Sequence, residues 1–401
     1  MKILILNNYY YPHMEGGAEF SVKILAEALV HEGNEVTVIS MDGAPETDLL
    51  SCELINGVKV YRSYSKHLYR RRILKNKTHF IDKFFNGINS IYNPKMNCAL
   101  KTLIKLIKPD IVHTQNMVSM SYWIWKYSYK RNIPTVHTIR DYWLLDPTTN
   151  IGQSPKLFEI LFRAYHKRLS NKYVDFVTSP SDRTLRIFEK YGYFKNSNKQ
   201  TIVNAISFDP ILLAECISEK MNRKIDFVRF IFAGKVTETK GIKLLIKAFI
   251  ESNTNAQLVI CGNGDLNSWI SDKNAFNIVQ KGRVSQEKLF QEYKKADVLI
   301  VPSLWEEPFG RIVIEGAQYG LPTIGSNKGG IPEIIRNTKY GSIFNSDSKE
   351  ELIRLIQKYA DRAYLNYLYS RGPQNLEDYS IKKQTSNFGK VYNSLTKSGD
   401  N

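Results

Sequence analysis

The chain has 401 residues, too many for one ordinary core and enough for two domains. Hydrophobic residues make up 43% and charged residues 24%, the balance of a globular chain, and there is no low-complexity tract or short-period repeat. The net charge is +17, which calls for an anionic partner: nucleic acid, an anionic membrane or a phosphorylated substrate. Eleven Lys/Arg against the single acidic Asp82 lie between Lys66 and Lys108, so this segment alone supplies +10. The cysteines Cys52, Cys98, Cys216 and Cys261 are far apart and form no C-x-x-C pair. That argues against a zinc or redox motif and fits a reducing compartment. The opening apolar run, Met1–Leu6, is too short for a signal sequence or a membrane span, and no other stretch is long enough to cross a bilayer. The expected location is cytoplasmic, peripheral on the inner face of the cell membrane at most.

Lys2–Leu6 reads as a buried parallel strand, because it is short, apolar and followed by a polar turn. Gly16-Gly17 precedes a helical pattern from Ala18 to His31, and Glu35–Ile39 is the next strand. Strands are expected at Val58–Tyr61, Ile111–His113, Thr135–Thr138, Phe176–Thr178 and Thr201–Val203, with helices between most of them. The basic segment interleaves Phe80, Ile81, Phe84, Phe85, Ile88 and Ile91 with charge. It reads either as an amphipathic helix lying on an anionic membrane or as an ordinary helix with a solvated basic face. The pattern restarts at Val228–Ala233, with further strands at Gln257–Cys261, Asn277–Gln280, Asp297–Val301 and Pro322–Gly325. Strands separated by helices predict α/β architecture with two doubly wound, Rossmann-like parallel sheets, and a cleft between the two domains is the default active site. The expected division is an N-terminal Rossmann-like domain over 1–205, a hinge over 206–225, a second, C-terminal ligand-binding domain over 226–375, and a final helix over 376–401 packing back on the first domain.

The segment from Pro302 to Glu315 carries the strongest chemical signal. Glu307 and Glu315 stand eight residues apart, with Pro308 suited to a helix start and Glu315 about two turns in. The backbone amides of Phe309, Gly310 and Arg311 would then point at an anion or hydroxyl. A carboxylate accepts two sugar hydroxyls, so Glu307 suits a sugar and Glu315 a ribose. This segment, with Gly320–Gly325 and Gly329-Gly330-Ile331-Pro332-Glu333 after it, resembles the retaining GT-B glycosyltransferases of family 4, and the resemblance extends over nearly the whole chain.

The resemblance implies specific roles. Lys235, where the family usually has Arg, and Lys240, which matches, would hold the donor diphosphate; a lysine offers a point charge rather than a bidentate fork. Gly16 and Gly17 would let backbone approach the donor phosphate and the acceptor. Arg140-Asp141 occupies the place of a frequent His-Asp beside the donor sugar. Arginine cannot act as a base there, but it suits an anionic sugar or a phosphate. His113 matches a family motif and reads equally as a packed strand-end histidine. Gly262, in a Gly-Asn-Gly after a strand, is a softer family match for substrate binding, and Arg283 and Val284 fit the loop that brackets the nucleotide base; ordinary turns are the alternative for each. The implied activity is transfer of a sugar from a nucleotide-sugar donor to a glycan or lipid-linked acceptor in cell-surface polysaccharide synthesis. No Asp-x-Asp occurs, so no metal cofactor is expected. The rival readings are an epimerase or hydrolase of the same fold and, in a different class, a basic nucleic-acid-binding protein. No nucleic-acid motif is present, so nucleic acid is not an expected partner.

Overall fold

The computed structural model describes residues 1–14, 16–43, 52–64, 87–148, 156–224, 227–266 and 277–396. In it the short apolar runs become strands of two separate sheets. The chain divides into two compact units, Met1–Ala205 with Ile381–Asn401, and Ile206–Ser380.

In the first unit the strands are β1 (Lys2–Leu6), β2 (Glu35–Ser40), β3 (Cys52–Ile55), β4 (Val58–Arg62), β5 (Ile111–Thr114), β6 (Thr135–Thr138), β7 (Phe176–Ser179) and β8 (Asn198–Thr201). They lie in the order β3-β4-β2-β1-β5-β6-β7-β8. Only the edge strand β3 runs antiparallel, against β4. The central strands are covered on both faces and are therefore apolar without alternation; in β1 only Lys2 is exposed. Phe388, Val391 and Tyr392 of the helix Ile381–Thr396 join Val22, Leu25 and Leu29 of the helix Gly17–His31 in one core with Ile3 and Ile5.

The helix Trp123–Tyr129 packs against both Pro94–Ile107 and Lys156–Tyr173. Asn93 starts the first of these by accepting the Met96 N–H at 3.1 Å. Its apolar residues Met96, Leu100, Leu103 and Ile104 are buried. This corrects one expectation: over 94–107 the basic segment spends its apolar face on the domain interior and not on a membrane. Residues 66–86, with Phe80, Ile81, Phe84 and Phe85, lie outside the described residues. No described helix is long and apolar enough to cross a membrane.

The second unit places β9 (Val228–Ala233), β10 (Ala256–Cys261), β11 (Ile278–Gly282), β12 (Val298–Val301), β13 (Thr323–Ser326) and β14 (Gly341–Phe344) in the all-parallel order β11-β10-β9-β12-β13-β14. Phe230, Phe232, Leu258, Ile260 and Ile300 face the helices Ile242–Glu251 and Lys349–Tyr359 in its core.

The segment expected as a hinge, 206–225, is mostly a helix of this unit, Pro210–Met221. Asp209 caps it by accepting the N–H groups of Ile211 and Leu212 at 2.9 and 3.1 Å. Lys220, wholly buried, donates to the carbonyls of Tyr293, Lys294 and Ala296 at 3.1, 3.0 and 2.6 Å. It thereby satisfies the C-terminal end of the helix Gln286–Lys295. Residues 376–380 also belong here, since the Ile206 N–H donates to the Tyr379 carbonyl at 2.9 Å. The chain passes between the units at Ala205/Ile206 and again at Ser380/Ile381.

Two predictions arise from this packing. Burial lowers the pKa of His137 from 6.5 to about 3 and of His166 to about 4, and it lowers His113 well below its ordinary value. The unfolded chain protonates these rings first, so stability present above pH 6.5 is lost as pH falls towards the folded values. Thermal melts should show Tm falling from about pH 7 to about pH 5, less steeply in His166→Gln, and a flat profile would contradict the assignment. Lys220→Met should cost about 1–3 kcal/mol in denaturant unfolding, because helix-end carbonyls lose their donor.

Candidate active site

In an open parallel sheet the chain order reverses at one point, and the crevice outside the strand ends there is where ligands bind. In the second unit that point lies between β9 and β12. The loops that leave these strands are stitched together by backbone. Leu304 and Trp305, after β12, both donate to the Thr239 carbonyl, after β9, at 2.9 and 3.1 Å. Gly241 has φ 72°, and a Cβ on it would stand 1.8 Å from the Pro302 carbonyl oxygen. The loop after β13 closes from the other side. Gly330 donates to the Glu307 carbonyl at 2.8 Å, and Gly329 donates to Glu306 Oε2 at 2.8 Å.

Inside this frame the Lys240 ammonium is ion-paired with Glu307 Oε1. The Ser303 hydroxyl donates to the same oxygen at 3.2 Å. Lys240 Nζ also lies 5.2 Å from the centre of the Trp305 ring. The two charged side chains keep 30% and 14% of their surface exposed, so a ligand can reach both. Two of the expected residues, 67 positions apart in sequence, thus meet as one ion pair. Ser303, Trp305 and Glu306 were not singled out from the sequence, although they sit in the segment that carries Glu307.

Gly310, with φ 95°, leads into the helix Arg311–Gln318, and Phe309 is buried against Tyr379 with ring centres 6.2 Å apart. Glu315 therefore lies just over one turn into the helix, not two as the spacing from Pro308 suggests. Arg311 Nε donates to Glu315 Oε1 at 2.7 Å. Burial raises the Glu315 pKa against the opposing charge of Arg311. Lys235 is exposed directly after Gly234, at the end of β9. A Cβ on Gly262 would stand 1.8 Å from the Gly234 carbonyl oxygen, so close approach of the loops after β9 and β10 requires a glycine. Arg283 is exposed and Val284 half-buried; they follow β11, which β10 separates from β9.

The first unit has its own switch point, between β1 and β5. Asp42 and Arg62 anchor the loop after β1. Arg62 Nη1 donates to both Asp42 carboxylate oxygens at 2.8 Å and Nη2 to the Tyr11 carbonyl at 2.6 Å, while Asp42 Oδ2 accepts the Tyr10 N–H at 3.0 Å. This buried pair escaped the sequence reading, because its members sit at the ends of different strands and match no motif. Gly16 and Gly17 are exposed at the start of the helix Gly17–His31, and the Gly16 N–H donates to Glu19 Oε2 at 2.9 Å. Arg140, 8% exposed, donates from Nε to Gln115 at 2.8 Å and from Nη1 to the side-chain oxygen of Asn204. Asp141, half-buried, accepts the Trp143 N–H at 2.9 Å. His113 is corrected from a substrate contact to a packing residue: it is wholly buried, and its nitrogens meet the Tyr392 and Thr138 hydroxyls at 2.8 and 2.6 Å.

Comparison with known proteins agrees with this architecture. Residues 15–209 match the family described as Glycosyltransferase Family 4, and residues 215–370 match Glycosyl transferases group 1. An uncharacterized 42.6 kDa protein in the cps region of Klebsiella pneumoniae is 30% identical over 344 residues, 84% of this chain and 88% of that one. Sucrose-phosphate synthase from Thermosynechococcus elongatus superposes with a TM-score of 0.76 at 19% identity, covering 99% of each chain. Anabaena HepE, solved with UDP and glucose, gives 0.64 at 16% identity over 98% of this chain and 100% of its own. With both halves of the sequence matched by these family models and the fold matched over the whole chain, the chain belongs to the GT-B glycosyltransferases of family 4.

Proposed function

We propose that this glycosyltransferase moves a sugar from a nucleoside-diphosphate sugar to an acceptor hydroxyl with retention of the anomeric configuration. The observation that carries the reading is the Lys240–Glu307 pair held at the strand-order reversal of the second unit. There a cation for a diphosphate and a carboxylate for sugar hydroxyls are within one bond of each other. Anabaena HepE, a neighbour of the same fold, was solved with UDP and glucose, which supports a nucleotide-sugar donor. The Klebsiella relative is named for a cps region, which supports a glycan or lipid-linked acceptor in cell-surface polysaccharide synthesis.

In this reading the bond between the anomeric carbon and the diphosphate oxygen breaks, and negative charge grows on that oxygen. Lys235, Lys240 and the helix start after Gly310 stabilise it. The acceptor oxygen bonds to the anomeric carbon on the same face, and its proton passes to the departing phosphate, so the protein need supply no base. Glu307 grips the donor sugar. Glu315, oriented by Arg311, takes the ribose, and the loops with Gly262, Arg283 and Val284 take the base. On the first unit, Gly16 and Gly17 serve the phosphate and acceptor. Arg140, fixed by Gln115 and Asn204, is a positive charge suited to an anionic sugar or phosphate, with Asp141 beside it.

Side-chain cations stand here where other glycosyltransferases use a metal, so none is required. Glu307→Ala should lower kcat on the order of a hundredfold or more with a folded protein retained, because Lys240 loses its partner and the sugar its acceptor. Unchanged turnover would refute the role of Glu307. Activity should survive EDTA, and complete loss on chelation would overturn the metal-free account.

A further inference from the structure

The helix Lys156–Tyr173 buries Phe162, His166 and Leu169 on one side. Its opposite side should be polar in a solvated surface helix. Instead Leu157, Ile160 and Leu161 stand 72%, 62% and 62% exposed, with exposed Ala164 one turn on. Their spacing puts them on one stripe. The neighbouring turn adds to it: Ile88 and Tyr92 are 40% and 56% exposed. That turn is fixed to the helix by the Tyr165 hydroxyl, which donates to the Ile91 carbonyl at 3.0 Å. Single exposed apolar residues are ordinary, but a contiguous set of large ones marks a contact surface.

Charge identifies what the surface contacts. Lys156, Arg168 and Lys172 are exposed on the same helix, whose only acidic residue, Glu159, is buried and paired with Arg163. On the helix Pro94–Ile107, Lys95, Lys101 and Lys105 are exposed and no acidic residue is present. The helix between them ends beside exposed Lys130 and Arg131. A second copy of the chain would bring the same positive charge to the contact and be repelled. A bilayer with anionic headgroups matches both features, taking the apolar stripe below the headgroups and the basic rim at their level.

We propose that the stripe Leu157–Ile160–Leu161 with Ile88 and Tyr92 is the surface by which this enzyme docks on an anionic membrane. The proposal names the surface that a lipid-linked acceptor would require, and its test does not depend on the donor site. The full chain is sedimented with vesicles of phosphatidylglycerol and phosphatidylcholine, and with phosphatidylcholine alone, at low and high salt. The wild type should bind the anionic vesicles and detach only partly in salt. The combined variant Leu157→Ser, Ile160→Ser, Leu161→Ser should bind about tenfold or more weakly with Tm unchanged, since an exposed stripe contributes to partitioning and not to folding. Lys156→Ser, Arg168→Ser, Lys172→Ser should lose the preference for anionic lipid. Wild-type binding by the triple serine variant would overturn the proposal, as would failure of the wild type to bind. A wild-type dimer that the serine variant dissociates would assign the stripe to self-association. A fall of several degrees in Tm in that variant would assign it to another part of this chain. Glycosyl transfer to a soluble acceptor should be the same in all variants; if that alone failed, the proposed activity and not the docking surface would be at fault.

Discussion

Backbone meets backbone at the heart of the second unit, and the site exists because nothing but hydrogen fits between. A Cβ on Gly329 would lie 2.0 Å from the Glu307 carbonyl oxygen, and one on Gly241 would lie 1.8 Å from that of Pro302. Both glycines have positive φ, 57° and 72°, which side chains seldom adopt. Three loops leaving three strands are thereby held as one body, and Glu307 takes its place from that body and not from packing of its own side chain. A charged group placed this way can remain partly exposed and still be ordered.

The electrostatics follow from the same arrangement. A half-buried carboxylate is costly without partners, and Glu307 receives two, the Lys240 ammonium and the Ser303 hydroxyl. Glu315 repeats the pattern one helix turn on, with Arg311 as its partner. In the first unit, Asp42 and Arg62 use a deeper pair to hold a backbone loop, with almost no exposed surface to offer a ligand. The three pairs form a series: burial increases as the task passes from contacting a ligand to holding a chain in place.

Most of the architecture was legible because every strand but β3 runs parallel and the central ones are buried, and buried strands announce themselves as apolar runs. The strands that escaped or shifted are edges, and β8 lies at Asn198–Thr201, sharing only Thr201 with the expected Thr201–Val203. β3 is short and largely exposed, and β14 is only half-buried, so neither needs the apolar run that reveals a strand. The helix Pro210–Met221 looks like a hinge in sequence because the stretch is mixed and weakly periodic; one of its few buried residues is Lys220, and a lysine looks solvated until a helix end is found to bind it. The contact of Lys240 with Glu307 could be expected only from family motifs. The supports around them, Ser303 and the Asp42–Arg62 pair, depend on distances between loops that no local pattern encodes.

The last helix has a consequence for how the protein comes into being. Phe388, Val391 and Tyr392 fill the core of the first unit, Tyr392 meets the ring of His113, and Gln384 donates to the Val203 carbonyl at 2.6 Å. A ribosome makes β1 to β8 early and these residues last, with the whole second unit, Ile206–Ser380, synthesised in between. At about 5–20 residues per second, the nascent first sheet waits on the order of ten seconds or more with part of its interior open. The second unit, continuous in the chain, needs no such delay. The half made first is therefore the half completed last, and its open flank is the part of the newborn molecule most in need of a chaperone.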